Sequence, residues 1–263
     1  MTVQVGAREI ATETWSALRR EALMDDCVPE LAERHVLSRM TFGMALSSLL
    51  CKAMDDGPVS AMNMASMLSD AYAEEPDLVL AAATDLEAIV SRDAAVQGPL
   101  VPYLFFKGFK ALQIYRVSNF YWRRGRINLA EYIRSRISEA FAVDIHPSAL
   151  IGSGIMFDHA TGIVIGAKSF VEDGVTILQD VTIGALPGEE GAGSPHIAGG
   201  VLIGAGAKVL GPIDVGYGAR IGAGSVVLDR VEPHTTVVGN PARATGKLRT
   251  GVLPAESVDH IGG

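Results

Sequence analysis

Two hydrophobic rhythms divide the chain. From Asp77 onward, apolar side chains recur at Leu78, Ala81, Ala82, Leu86, Ile89 and Val90, the spacing of one helix face rather than the alternation of a strand. Pro76-Asp77 opens this stretch, which runs to about Val96; Pro102 precedes another that runs toward Trp122, and Pro58 after Gly57 marks a further start. The pattern predicts about five to seven helices in the first half, with the apolar stripe as core.

In the second half the recurrence is every six positions: Ile165, Val171, Ile177 and Ile183, then Ile197, Ile203, Val209, Val215, Ile221 and Val227. Most are followed by a small residue, as in Ile151-Gly152, Ile165-Gly166, Ile183-Gly184, Ile203-Gly204 and Ile221-Gly222. A fixed short period of this kind marks a solenoid of hexapeptide coils, three hexads to a triangular turn. The aliphatic side chain points inward and stacks on the next coil, and small residues serve the corners. The expected fold is therefore α+β: an α-helical domain over 1–142, a parallel β-helix over 143–246 and a tail over 247–263. Glycine usage agrees with that boundary, since only 6 of 29 glycines precede residue 144, whereas eight of nine methionines do.

The hexad rhythm slips twice, with eight positions between Phe157 and Ile165 and fourteen between Ile183 and Ile197. A solenoid builds sites mainly by extruding loops, so these slips mark the expected functional face. The first holds Asp158-His159 and the second Ala185 to His196. A short solenoid also leaves a flat flank and open ends, and left-handed hexapeptide helices commonly associate as trimers with such loops at the subunit interfaces.

A net charge of −8 argues against nucleic-acid binding through bulk electrostatics. The basic cluster Arg123, Arg124, Arg126, Arg134 and Arg136 reads as a solvated helix face or an oligomer contact. No apolar run reaches membrane-span length, and Met1 to Arg20 lacks the apolar segment of a signal peptide, so a cytoplasmic location is expected. Cys27 and Cys51 are too few for a disulfide framework and read as reduced core residues.

Among the solenoid histidines, His146 and His234 look like corner residues. His159 differs, because it lies in a slip beside Asp158, with Asp144 one coil earlier. A carboxylate on one imidazole nitrogen would leave the other free to take a proton from a hydroxyl. A structural histidine remains the alternative, as a capping role does for Asp93. A zinc site drawn from His146, His159 and His196 of neighbouring subunits, or a non-catalytic scaffold, are the other function classes open to such a fold. Nucleophile-elbow, Walker, HExxH and dinucleotide signatures are absent from their required contexts.

Taken together, Ser91-Arg92-Asp93, YLFFKGFKALQIYR at 103–116, DIHP at 144–147, DHATGIVIG at 158–166, ILQDVTIG at 177–184, IGAGAKVLG at 203–211, IGAGSVVL at 221–228 and PHTTVVGNPAR at 233–243 resemble the serine O-acetyltransferase family. The resemblance implies a left-handed parallel β-helix under a helical domain, trimers pairing into hexamers, acetyl-CoA as donor and no metal. It makes His159 the general base and Asp144 its partner, with Asp93 and Asp158 on the amino-acid acceptor. Gly184, Ala205 and Ala223 match the CoA groove, and Lys208, Arg243 and Lys247 are candidates for its phosphates.

Two departures qualify the resemblance. Where the family has an Arg-His-Pro-Lys run, this chain has Gly193, Ser194, Pro195 and His196 in a loop that also carries Glu189 and Glu190. The cations suited to an acceptor carboxylate are thereby lost, with His196 at the lysine position as a remaining acceptor-binding candidate. The acceptor is expected to be L-serine or a serine-like unit with a masked or carrier-protein-tethered carboxylate, and cysteine feedback is doubtful. The tail reads His260-Ile261-Gly262-Gly263, not the terminal isoleucine that docks into the family's sulfhydrylase partner, so no stable complex of that kind is expected.

Overall fold

A computed structural model describes residues 2–54, 61–186, 193–248 and 253–256. Eight α-helices come first among these: α1 (Thr2–Met24), α2 (Pro29–Ala32), α3 (Phe42–Ala53), α4 (Ala61–Glu74), α5 (Asp77–Arg92), α6 (Leu100–Phe105), α7 (Lys107–Arg123) and α8 (Ile127–Phe141), with a π-helical turn at Glu33–Leu37. The count exceeds the expected five to seven for local reasons. The segment at Pro29 forms a single turn, and Phe106, extended at ψ 113, splits the stretch through Pro102 into α6 and α7. Helix α5 stops at Arg92 rather than near Val96. There Asp93 turns extended at ψ 104, and its Oδ1 accepts from the Ala95 N–H at 2.9 Å, a local turn that competes with helix.

Helix α8 ends on Ala142, whose left-handed φ of 54° reverses the chain. The Ala142 carbonyl then accepts from Gly162 N–H at 2.7 Å, which ties the last helix to the first coil. From Asp144 the chain winds as a left-handed parallel β-helix. One sheet holds β1 (Asp144–Ile145), β4 (Val164–Ile165), β7 (Thr182–Gly184), β10 (Lys208–Leu210) and β13 (Val226–Val227). The second holds β2 (Leu150–Ile151), β5 (Phe170–Val171), β8 (His196–Ile197) and β11 (Asp214–Val215). The third holds β3 (Met156–Phe157), β6 (Thr176–Ile177), β9 (Leu202–Ile203), β12 (Arg220–Ile221) and β14 (Thr235–Gly239), with β15 (Ala242–Lys247) antiparallel on its edge.

The register stacks the hexad residues directly. Ile145, Ile165, Ile183, Val209 and Val227 pair in turn along the first sheet, and all are buried. Each buried aliphatic side chain contributes roughly 1.5–3 kcal/mol, so the column is the source of the solenoid's rigidity.

The helical domain is docked by a buried ion network. Asp85 of α5 is fully buried, and its Oδ2 receives Arg116 Nη2 at 2.7 Å and Gln113 Nε2 at 2.9 Å, both from α7. Its Oδ1 accepts from the Ile155 N–H at 2.9 Å, and Arg116 donates to the carbonyls of Ile151 and Gly152. The sites that the pair does not use within the helical half are spent on backbone groups of the first coil, as burial of charge demands.

The basic cluster is largely neutralised, with Arg123 and Arg124 on Glu74 and Glu75, Arg134 on Glu131 and Asp144, and Arg136 on Glu139. Of the two thiols, Cys51 is half-buried, but Cys27 is exposed, against the expectation of a core residue. It sits in the turn after α1, where Asp25 Oδ1 accepts its N–H and a hydrogen bond to Asp26 pushes the thiol pKa up. No helix among the described residues is long and apolar enough to cross a membrane. The tail residues His260 to Gly263 lie outside the described residues, as do Glu189 and Glu190.

His35 gives the fold a pH dependence. Burial, with Arg34, Lys52, Arg39 and Lys110 adding to it, pushes its pKa down from 6.5 to about 4. Between those values the unfolded chain binds the proton and the folded chain does not, so stability falls as pH drops from 6.5 toward 4. Urea midpoints measured across that window are expected to fall less steeply for His35→Gln than for the parent chain.

Candidate active site

The first slip in the hexad rhythm forms the corner between β3 and β4. His159 and Ala160 occupy left-handed backbone at φ 54° and 61°, conformations that cost an L-residue of order 1 kcal/mol each. Ala160 N–H bonds back to the Asp158 carbonyl at 2.6 Å and Thr161 N–H to the His159 carbonyl at 2.8 Å, which holds the tight turn. The geometry projects His159 outward, with its side chain 72% exposed, while Asp158 is buried beside it. Asp158 Oδ1 lies 3.9 Å from His159 Nε2.

This corner faces a cleft of about 420 Å³ lined by Asp93, Ala95, Phe105, Phe106, Lys107, Gly108, Phe157, Asp158 and His159. The helical domain thus supplies one wall and the first coil the other. Asp93, just past α5, is buried, and the Lys107 ammonium donates to the Thr161 hydroxyl. Gly108 permits the close approach. A Cβ there would fall inside contact distance of the Phe157 carbonyl oxygen and sit 3.0 Å from the Phe157 Cβ.

The structure brings Asp93, Asp158 and His159 into one cleft, but it does not pair Asp144 with His159. The Arg134 guanidinium from α8 grips Asp144 with two bonds, Nε to Oδ1 at 2.6 Å and Nη2 to Oδ2 at 3.0 Å, so the fork takes both carboxylate oxygens. His146 is a corner residue, with Nδ1 bonded to Ser148 and its ring edge-on to Trp122. Burial lowers its pKa. His234 is likewise a corner residue in left-handed backbone, against Tyr217.

Above His159 the corners stack into a continuous column. Asp180 N–H bonds to the Thr161 carbonyl, Gly206 N–H to Gln179 and Gly224 N–H to Ala205, at 2.7, 2.9 and 2.8 Å. Ala205 and Ala223 therefore stand in line with His159 along one edge. Lys208 flanks this edge and bonds Asp180 at both its carbonyl (2.5 Å) and its carboxylate (3.2 Å). At the far end Arg243 and Lys247 line a second cleft of about 450 Å³, with Arg243 3.4 Å from Asp229.

Gly184 and His196 lie elsewhere. Gly184 closes β7, where the second slip leaves the solenoid, and His196 opens β8 where it returns. His196 Nε2 meets Glu172 at 2.7 Å, its Nδ1 is 3.5 Å from Asp214, and its ring stacks on Phe170 at 4.8 Å. Ser194 donates to the Ala167 carbonyl at 2.6 Å. These residues are on the edge between the first and second sheets, a different corner from the cleft.

Reading the sequence by itself missed Lys107 and Gly108 as cleft residues and Arg134 as the partner of Asp144. An isolated glycine inside a helical pattern was the available signal for Gly108, since it often marks close packing.

A family model described as serine acetyltransferase, N-terminal, matches residues 8–114. The serine acetyltransferase of Salmonella typhimurium strain LT2 is 46% identical over 237 residues, covering 89% of this chain and 87% of the relative. A solved serine acetyltransferase from Vibrio cholerae superposes with a TM-score of 0.90 at 45% identity, over 94% of this chain and 97% of that one. Another from Brucella abortus strain S19, in complex with coenzyme A, superposes with a TM-score of 0.87 at 36% identity, over 90% and 96%.

Gly108→Ala is expected to push α7 off the Phe157–Ala160 corner and to lower the unfolding free energy by roughly 1–3 kcal/mol, the usual range for overpacking. Chemical denaturation of the variant beside the parent checks this.

Proposed function

The chain belongs to the serine acetyltransferase family, and on that premise we propose that it moves acetyl from acetyl-CoA to the hydroxyl of L-serine with His159 as general base. The observation that carries the reading is the left-handed corner at His159: the imidazole shares one cleft with the buried carboxylates of Asp93 and Asp158 and stands in line with the corners at Ala205 and Ala223.

His159 takes the hydroxyl proton as the serine oxygen attacks the thioester carbonyl. The tetrahedral intermediate collapses with loss of the thiolate, which recovers the proton from the imidazolium. The products are O-acetylserine and the free thiol of CoA, and His159 returns neutral. No covalent enzyme intermediate is needed, because both substrates are held together and the reaction gains from proximity.

Asp158 is the carboxylate nearest the ring, 3.9 Å from Nε2. Asp93, buried on the opposite wall, suits the acceptor's ammonium group together with Asp158. Asp144 acts one step removed, fixing Arg134 and hence α8 against the first coil. Ala205 and Ala223 leave the backbone open to a pantetheine arm running up the column toward Lys208, Arg243 and Lys247. The edge that carries Gly184 and His196 completes this groove from a neighbouring copy in a homotrimer.

His159→Ala is expected to lower kcat for thiol release from acetyl-CoA with L-serine by roughly 10²- to 10⁴-fold, the range of general-base catalysis, with an unchanged circular-dichroism spectrum. Turnover that survives the substitution would contradict the assignment.

A further inference from the structure

The cleft at His159 holds two acids suited to an ammonium group and a single lysine. Lys107 is the first residue of α7, and its ammonium rests on the neutral hydroxyl of Thr161, two residues beyond His159. Among the described residues it forms no ion pair, although Asp93 and Asp158 line the same cleft.

Its position is electrostatically unusual. Helix α7 has no acid in its first turn and no side chain capping its N-terminal N–H groups, so a cation sits on the positive end of a 17-residue helix. Helices ordinarily place anions there, and a lysine at that end is unfavourable unless an anion joins it. An anion in the cleft would satisfy both the helix end and the lysine. Gly108, pressed on the Phe157 backbone, fixes the Lys107 backbone beside the His159 corner. At Gly193 and Ser194, where the family resemblance leads one to expect cations, this chain is neutral, and the Ser194 hydroxyl is spent on the Ala167 carbonyl.

We propose that Lys107 binds the carboxylate of the acceptor, so that the cleft selects a free β-hydroxy amino acid over a carboxyl-masked or carrier-tethered one. The inference rests on the acetyl-transfer reading above. The acceptor is then held at three points: ammonium on Asp93 and Asp158, carboxylate on Lys107 and hydroxyl on His159. Lys107 supplies the cation for that carboxylate from the helical domain, where the loop at Gly193 and Ser194 supplies none.

The test compares kcat/KM for L-serine and L-serine amide, with acetyl-CoA saturating, in the full-length parent, Lys107→Met and Lys107→Arg. In Lys107→Met the preference for serine over its amide is expected to fall roughly 10- to 100-fold, mainly through the KM of serine, as loss of a charge-assisted hydrogen bond implies. Lys107→Arg is expected to recover most of that preference. Equal losses on the two acceptors, or no loss on serine, would overturn the assignment. So would a parent enzyme that turns over the amide and not serine, an outcome that leaves acetyl transfer itself standing. Absence of thiol release with either acceptor would instead bring down the acetyl-transfer reading and this assignment with it.

Discussion

The buried Asp85–Arg116 pair is the interaction on which the placement of the site depends. Charge taken out of water is costly unless each oxygen and each N–H finds a partner, and here the partners are backbone atoms of the first coil at Ile151, Gly152 and Ile155. A purely apolar contact could hold the domains together and still slide. Hydrogen bonds to particular peptide groups fix the register. From this pair α5 runs forward and α7 runs back to the same cleft: Asp93 follows Asp85 by eight positions and Gly108 precedes Arg116 by eight. At 1.5 Å per residue, each helix is a strut of roughly 12 Å between the ion pair and the cleft.

The solenoid supplies the other wall by a different principle. Its stacked aliphatic columns make every corner rigid and nearly alike, so a site has to come from a corner that breaks the repeat. The break at Asp158–Gly162 costs two left-handed L-residues in a row, and the columns on either side stabilise it. That strain projects His159 into the cleft, while above the Gln179–Asp180 corner the column narrows to alanine and glycine at 205–206 and 223–224. In the proposed mechanism the acceptor half of the site is thus borne mainly by helices and the donor half by coils, with the imidazole at their common edge.

Much of this was legible in the residue pattern, because inward hexad positions tolerate little besides aliphatic side chains. The columns through Ile165, Ile183 and Val209 and the irregular corner at His159 follow directly from counting. What could not be read was decided by contacts distant in sequence. The helix break at Phe106 and the closeness of Gly108 to Phe157 depend on how α7 lies across the first coil. Asp144 illustrates the limit: it was read as the partner of His159 one coil later, but Arg134, ten residues before it, takes both its oxygens with a guanidinium fork. Lys107 sat inside the motif that supported the family resemblance, yet its place in the cleft is visible only once α7 is seen to begin there.

The most direct test of this account replaces the docking pair with apolar residues, Asp85→Leu with Arg116→Met, a change that buried ion pairs often tolerate without loss of stability. If the pair sets the register of the acceptor wall, the double variant stays folded and the KM for L-serine rises by roughly ten- to a hundred-fold, as a small misplacement of a substrate-positioning wall can produce, while the KM for acetyl-CoA is unchanged. Equal shifts in both constants, or none in either, would show that the two halves of the site do not depend on this ion pair for their alignment.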